Sequence, residues 1–492
     1  MSRASHGVCA ACLVLLVLGC SEEVSVSTGE EGQESAGGER AELFEGEASG
    51  MARPVPEDQR QVRQFPETPG QEPGMAADYR PSVEDTRPVE TGHELEEPPE
   101  GPSPWGAPEA ESGRPLPPRR AMNAAARSAY QQGQAAAKAG NLAAAAAAFE
   151  RALAADPGAY QAAYDRGVIA DRQGKPNDAL TWYARALKLQ PDYELAVAGA
   201  VAIYLRRGSA ESAVSYARPF ATRWERNLYL QAILGDALVA AGRLDEAEAT
   251  ARKALRRDER FVPAMIVLIK ASRRRGRDEL ADSILEQALK IDPKHPELQF
   301  LQGERHREEG RLAQALASYG EAVRLRPDYA EARMALGKQY MAGGNYKLAL
   351  AEFQRVVQLV PTLVAAHINL GDAYRANGNW QEAKREFDKA LRMQDDLPEA
   401  HFDLALMYMS AGEAFPGLDQ LAALERAMLE FTTYREKMGA RLERDDPSGS
   451  YIADLERQIS REKRRIEREA ARKQREAERA ARQNATEAEA SE

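Results

Sequence analysis

The sequence predicts an all-α solenoid, a stack of helix pairs, and three observations predict it. Glycine recurs every 34 residues, at Gly140, Gly174, Gly208, Gly242, Gly276, Gly310, Gly344, Gly378 and Gly412. Alanine keeps the same interval at Ala145, Ala179, Ala213, Ala247, Ala281, Ala315, Ala349 and Ala383. Proline punctuates the same frame at Pro157, Pro191, Pro293, Pro327 and Pro361. A fixed period of this length is one helix–turn–helix unit, which cannot bury its apolar face alone and therefore stacks on copies of itself.

The chain begins with a different pattern. Arg3 and the free amino group precede an apolar run over residues 7–19, about thirteen residues, where a bilayer span needs roughly 20. This reads as a signal peptide. Its end, Val17-Leu18-Gly19-Cys20, resembles the lipobox of bacterial lipoproteins. The resemblance implies cleavage before Cys20 and lipidation of its thiol. Ser21 follows, and by resemblance to lipoprotein sorting in Gram-negative bacteria this favours the outer membrane. Several acyl chains on one cysteine give stable anchoring. Cys9 and Cys12 form a C-x-x-C inside the apolar run, with no folded context for redox or metal chemistry. No cysteine follows Cys20, so the folded part can make no disulfide.

Residues 21–118 hold 23 acidic and 7 basic side chains and 15 of the 27 prolines. Apolar periodicity is absent, and a disordered linker is expected. A flexible chain of this length spans on the order of 50–60 Å. Trp105 is its one large distal aromatic, expected to be solvated. The formal charge of -11 belongs to this stretch, because residues 119–492 carry 58 basic against 54 acidic groups. It therefore says little about the partners of the folded part.

Within the array each recurrent residue has a physical task. The glycine ends the first helix of a unit, where a left-handed residue is needed. The alanine opens the second helix and lets the two approach. Gly133, Gly167, Gly235, Gly303, Gly337 and Gly371 lie seven residues before the turn glycine. Phe149, Tyr183, Tyr319, Phe353 and Phe387 follow the alanine by one helical turn and fill the space between units. The prolines stop the second helix. Together these residues resemble the tetratricopeptide repeat family over roughly residues 126–397, which implies a right-handed superhelix of helix pairs. Units start near 126, 160, 194, 228, 262, 296, 330 and 364. The third to fifth are degenerate, with Val201, Ile269 and Ala251 in place of the usual small or aromatic residues. A ninth unit with Tyr408 and Gly412 departs at Pro416-Gly417 into a longer helix near Gly439, as a terminal cap would, and the array with its cap is bounded at 119–440.

In this family the first helix of each repeat lines a concave face, and its fifth position looks inward. Here that position reads Tyr130, Tyr164, Ala198, Ala232, Ile266, Phe300, Met334, Ile368 and Phe402. The later repeats add Met341, Leu406 and Met409, with Lys338, Asp372 and Arg375 between them. The expected partner-binding groove is therefore Phe300, Met334, Lys338, Met341, Ile368, Arg375, Phe402 and Met409, apolar with charged registers. The alternative is that these side chains only pack neighbouring first helices together.

Other features carry less. The run Arg273-Arg274-Arg275-Gly276-Arg277, with Arg256, Arg257 and Arg260 upstream, reads as a solvated face, or as a seat for an acidic partner. His367 and His401 stand 34 apart where the family places a large side chain, so a packing role is expected. No phosphate loop, nucleophile elbow or paired-acid motif is present in the sequence. The expectation is no catalytic residue, no metal, no cofactor, no small-molecule substrate and no nucleic acid. Beyond Asp445-Asp446-Pro447, residues 450–483 hold 11 basic and 7 acidic groups and read as a charged helix. Ile452, Leu455, Ile459 and Ile466 give it a short coiled-coil seam, and 484–492 is expected to be a disordered end.

The order of lipobox, acidic linker, many repeats and basic helical tail resembles the tetratricopeptide lipoprotein of the myxobacterial adventurous gliding machinery. That resemblance implies a scaffold on the outer membrane, facing the periplasm, held by its N-terminal lipid and bound to other envelope proteins. Two alternatives stay open: a pilotin-like lipoprotein for secretin or type IV pilus assembly, and a lipoprotein activator of a cell-wall synthase.

Overall fold

The structure is a computed structural model and describes residues 116–490, with side chains through Asn484. The signal segment, Cys9, Cys12, Cys20 and nearly all of the acidic linker lie outside the described residues. Eighteen helices form nine pairs. They are α1 (Ala124–Lys138) and α2 (Leu142–Ala155), α3 (Tyr160–Arg172) and α4 (Pro176–Leu189), α5 (Glu194–Arg206) and α6 (Ala210–Arg223), α7 (Leu228–Ala240) and α8 (Leu244–Leu255), α9 (Val262–Arg274) and α10 (Asp278–Ile291). The series continues with α11 (Pro296–Glu308) and α12 (Leu312–Leu325), α13 (Ala330–Ala342) and α14 (Tyr346–Leu359), α15 (Val364–Ala376) and α16 (Trp380–Met393), α17 (Pro398–Ala411) and α18 (Gln420–Met438). A last helix, α19, spans Ser448–Ala490. Each helix packs on its pair mate and on the next pair, which is the α-solenoid that the 34-residue ruler predicts.

The turn glycines Gly140 to Gly378 all hold φ between 68° and 77°, a region that costs an L-residue and suits glycine. The second helices end two residues before their prolines. Asp156, Gln190, Asp292, Arg326 and Val360, each next to a proline, are extended, with φ from -141° to -133°. The eight period alanines are all fully buried. Asn123 and Asn141 cap α1 and α2, accepting from the amides of Ala126 and Ala144 at 2.9 and 3.0 Å.

The aromatic ring of each regular repeat lies flat against a bare backbone. A Cβ placed on Gly133, Gly337 or Gly371 would sit 2.5 Å from a ring carbon of Phe149, Phe353 or Phe387. Gly167 and Gly303 serve Tyr183 and Tyr319 in the same way, at 2.6 Å. The degenerate repeats fill this slot differently. Repeat three pairs Val201 with Ala217, and repeat five pairs Ile269 with Leu285, all buried. In these two repeats the ring is lost and a β-branched residue stands in the glycine's place. In repeat four both partners are small, Gly235 and Ala251, and Val267 of α9 moves in, with its Cγ1 2.9 Å from the position of a Gly235 Cβ.

The coiled-coil seam is already used within the chain. Leu455 is fully buried, and Tyr451, Ile452 and Ile459 pack against the cluster of Phe402, Phe431 and Tyr434. Thus the first turns of α19 cover the end of the array, and only Ile466 of the expected seam stays exposed. The helix also runs through 484–490, where the sequence suggests a disordered end, because Ala485, Glu487, Ala488 and Glu489 are strong helix formers. Leu455→Ala should cost about 2–4 kcal/mol of local stability. Limited proteolysis should then cut near residues 440–450 first; an unchanged cleavage pattern would show that α19 does not rely on this contact.

Candidate partner-binding site

The concave face is built from one side of α1, α3, α5 and the other odd-numbered helices up to α17. The fifth position of each repeat differs sharply along it. Tyr164, Ala198, Ala232 and Ile266 are buried, so in repeats two to five this line holds first helices together. Phe300, Met334 and Ile368 are half-buried. Phe300 packs at a tilt against Tyr319 and Tyr329, with centroids 5.8 and 5.5 Å away. Phe402 is 8% exposed and lies between Phe431, Tyr434 and Tyr451. The terminal cap has covered it, and as a groove residue it is corrected to core. Met341 and Met409 are half-buried, and Lys338 is exposed. The half-exposed apolar line in repeats seven to nine is therefore Met334, Met341, Ile368, Leu406 and Met409.

Charges accompany this line in a register that the sequence reading recognised only in its last two members. Four residues beyond the fifth position stand Asp236, Lys270, Glu304, Lys338 and Asp372, alternating in sign over five repeats. Lys270 Nζ reaches Asp236 at 2.9 Å and Glu297 at 2.5 Å. Glu304 accepts from Arg307 at 2.9 Å and from the Tyr319 hydroxyl. Arg375 holds Asp372 at 3.0 Å. Burial, reinforced by Asp372, pushes the Asp403 carboxyl well above the usual carboxylate range. Lys338 makes no ion pair among the described residues. The ladder is thus internally neutralised in repeats four to six, and it presents one open cation beside the half-buried methionines of repeat seven. The signal in the sequence was the same 34-residue ruler applied to a polar position.

The arginine run is not a free patch. Arg275 pairs with Glu248 at 3.0 Å and with Asp245, and Arg273 reaches Asp282 at 3.6 Å. Arg274 donates to the Val239 carbonyl at 2.7 Å, satisfying the exposed end of α7. Arg257 reaches Glu225 at 3.5 Å, while Arg256 and Arg260 are exposed. The two histidines are equally occupied. His367 is fully buried, with Nδ1 2.5 Å from Glu386 and Nε2 3.0 Å from the Pro361 carbonyl. His401 Nδ1 lies 2.7 Å from Glu430. Among the described residues no group of three His, Cys, Asp or Glu is placed to hold a metal, and no helix is long and apolar enough to cross a membrane.

Comparison with known proteins agrees with this geometry. Two models of the tetratricopeptide repeat match, one over residues 130–194 and 300–363, the other over 222–304 and 340–407. Together they reach just over half of the 492 residues and leave out 195–221, the repeat in which Val201 and Ala217 replace glycine and ring. Among solved structures, the APC/C hetero-tetramer Cut9–Hcn1 is 15% identical, with 67% of this chain and 76% of that chain covered and a TM-score of 0.43. Two structures of MamA are 24% and 25% identical, covering 34% and 33% of this chain, 92% and 95% of theirs, each with a TM-score of 0.28. No curated protein matches the sequence.

Proposed function

Because this chain belongs to the tetratricopeptide repeat family, and is on that account a protein-interaction scaffold, we propose that it is a lipid-anchored scaffold of the bacterial outer membrane whose concave face in repeats seven to nine holds a segment of another envelope protein. The observation that carries the site is the half-exposed line Met334, Met341, Ile368 and Met409 with Lys338 beside it. Methionine suits such a surface because its unbranched, polarisable side chain refits to different partners. A segment of matching shape would bring apolar side chains for the methionines and a carboxylate for Lys338. Support for the anchor comes from Val17-Leu18-Gly19-Cys20 and for the outer membrane from Ser21. The succession of lipobox, acidic linker, repeats and basic tail supports a place in a trans-envelope assembly of the gliding-motility kind.

Crosslinked pull-downs from envelope fractions test the groove. A Met334, Met341 and Ile368 to Ser variant, with helical content unchanged, should lose at least one envelope partner. An unchanged partner set would return these residues to packing alone. Cys20→Ser should move the protein from the membrane to the soluble fraction and abolish labelling by a fatty-acid probe; retained labelling would refute the anchor.

A further inference from the structure

The degenerate repeats make a bend that brings distant repeats into contact. In repeats three and four the concave positions are small, with Ala198, Ala202 and Ala232 all buried. As a result α5 packs directly on α7, and α7 on α9. From repeat six onward Phe300, Met334 and Ile368 stand in the equivalent place and wedge the first helices apart. Close approach on the inner side of a stack curves it inward. The turn between α3 and α4 thereby meets the connections that follow α12 and α14. Arg172 Nη2 reaches Asp328 Oδ2 at 3.4 Å across 156 residues of sequence, with the two side chains only 10% and 18% exposed. A Cβ on Gly174 would lie 3.9 Å from both Pro361 and Thr362, which is van der Waals contact.

We propose that this contact is a clasp, which holds the array in a closed turn and opens to admit a partner to the concave face. The latch is Asp328, set among Arg172, Arg333 and Arg355. Arg333 is committed to Glu352 at 2.5 Å. Burial, with the nearby charges of Arg172 and Arg333, pushes the Arg355 guanidinium below its ordinary value. With Asp328 removed, the repulsion between Arg172 and Arg355 is no longer offset across the contact, because Asp165, the other acid near Arg172, lies on α3 itself, and this favours the open array. A contact of this kind, half-screened and made through loops, sits at the low-stability end of a fold, where gating elements are found. The role in admitting a partner rests on the concave-face reading above; the clasp itself does not.

The test therefore measures the clasp without any partner. Cys9, Cys12 and Cys20 are the only cysteines, so with these changed to Ser, spin labels at Lys175→Cys and Gln358→Cys report one distance in the full chain. Both positions are exposed. The expected result is a single narrow short-distance population. Arg172→Asp or Asp328→Arg should broaden it and lengthen it by on the order of a helix diameter, about 10 Å. The swap Arg172→Asp with Asp328→Arg should restore the short peak, which a merely misfolded loop would not do. A broad or long distribution in the unaltered pair overturns the clasp. A short peak that survives either single reversal overturns the latch. If the distances behave as expected but partner capture is equal in closed and opened forms, the gate fails while the groove stands.

Discussion

Phe353→Ala is expected to lower stability by about 3–5 kcal/mol, the range for emptying a ring from a core that cannot collapse around the hole. Phe353 is fully buried. Its ring lies against the α13 backbone at Gly337, and its neighbours include Ala349, Leu370, Ala373, Met334 and Met341. Backbone at that distance does not move in to fill the void. The loss should be local, because a solenoid is held by nearest-neighbour interfaces. Hydrogen exchange should therefore show protection falling over α13–α15 while α1–α8 keep theirs. Met334 and Met341 share this cluster, so capture of a partner should fall with it. A loss below about 1 kcal/mol, or one spread evenly over all repeats, would show that the ring is not the joint between repeats seven and eight. The degenerate repeats supply the control. Gly337→Ile with Phe353→Leu copies the natural pair Ile269 and Leu285 and should recover part of the loss.

That control also marks the limit of what the sequence made legible. Small residues and rings at a fixed interval announce the helix pairs, the turns and the closing prolines, because each of those features is local and recurs in the same frame along the array. Val201 and Ile269 read as departures when each position is viewed alone. They make sense once the residue opposite is known, since Ala217 and Leu285 leave open the place that a ring takes against a glycine elsewhere. The groove suffered the same way. The fifth position is one register in the sequence, but burial splits it into a structural half, Tyr164 to Ile266, and a half-exposed one, Phe300 to Ile368. Phe402 belongs to neither, because a helix some fifty residues downstream covers it, and no period reports a contact of that kind. The arginine run reads as a solvated face or an acidic partner's seat because sequence shows charges without their partners. Glu248, Asp245 and Asp282 lie on the neighbouring second helices and meet it only after folding.

Lys270→Met should show the second large effect, with a pH dependence that identifies its cause. Lys270 is the one cation between Asp236 of repeat four and Glu297 of repeat six, with side-chain exposures of 18%, 11% and 22%. Removing one member of a buried ionic group leaves the others uncompensated and costs about 3–5 kcal/mol. Methionine keeps the length of the stem, so packing is nearly preserved. Burial already pushes the Asp236 carboxyl up to about 6, even with Lys270 in place. Burial also works to raise Glu297, but there Lys270 and Arg326 outweigh it and hold the carboxyl below its ordinary value. Without Lys270 both carboxyls shift upward. A carboxyl raised on folding costs stability above its folded pKa, and the cost disappears as pH falls toward the unfolded value. The variant should therefore gain stability between pH 7 and about pH 5, where the unaltered protein gains less, because its Glu297 carboxyl, held below the ordinary value, is ionised folded and unfolded alike across that window. Denaturant midpoints at the two pH values decide it. A variant that loses further stability on acidification, or that matches the unaltered protein at pH 7, would show that the three charges do not act as a unit. Asp236→Asn and Glu297→Gln added to Lys270→Met should return most of the loss at pH 7, since the cost lies in the unpaired charges and not in the missing ammonium. If it does, the inner ladder of repeats four to six is a neutral support, and Lys338, one rung on, is where the concave face still has charge to offer a partner.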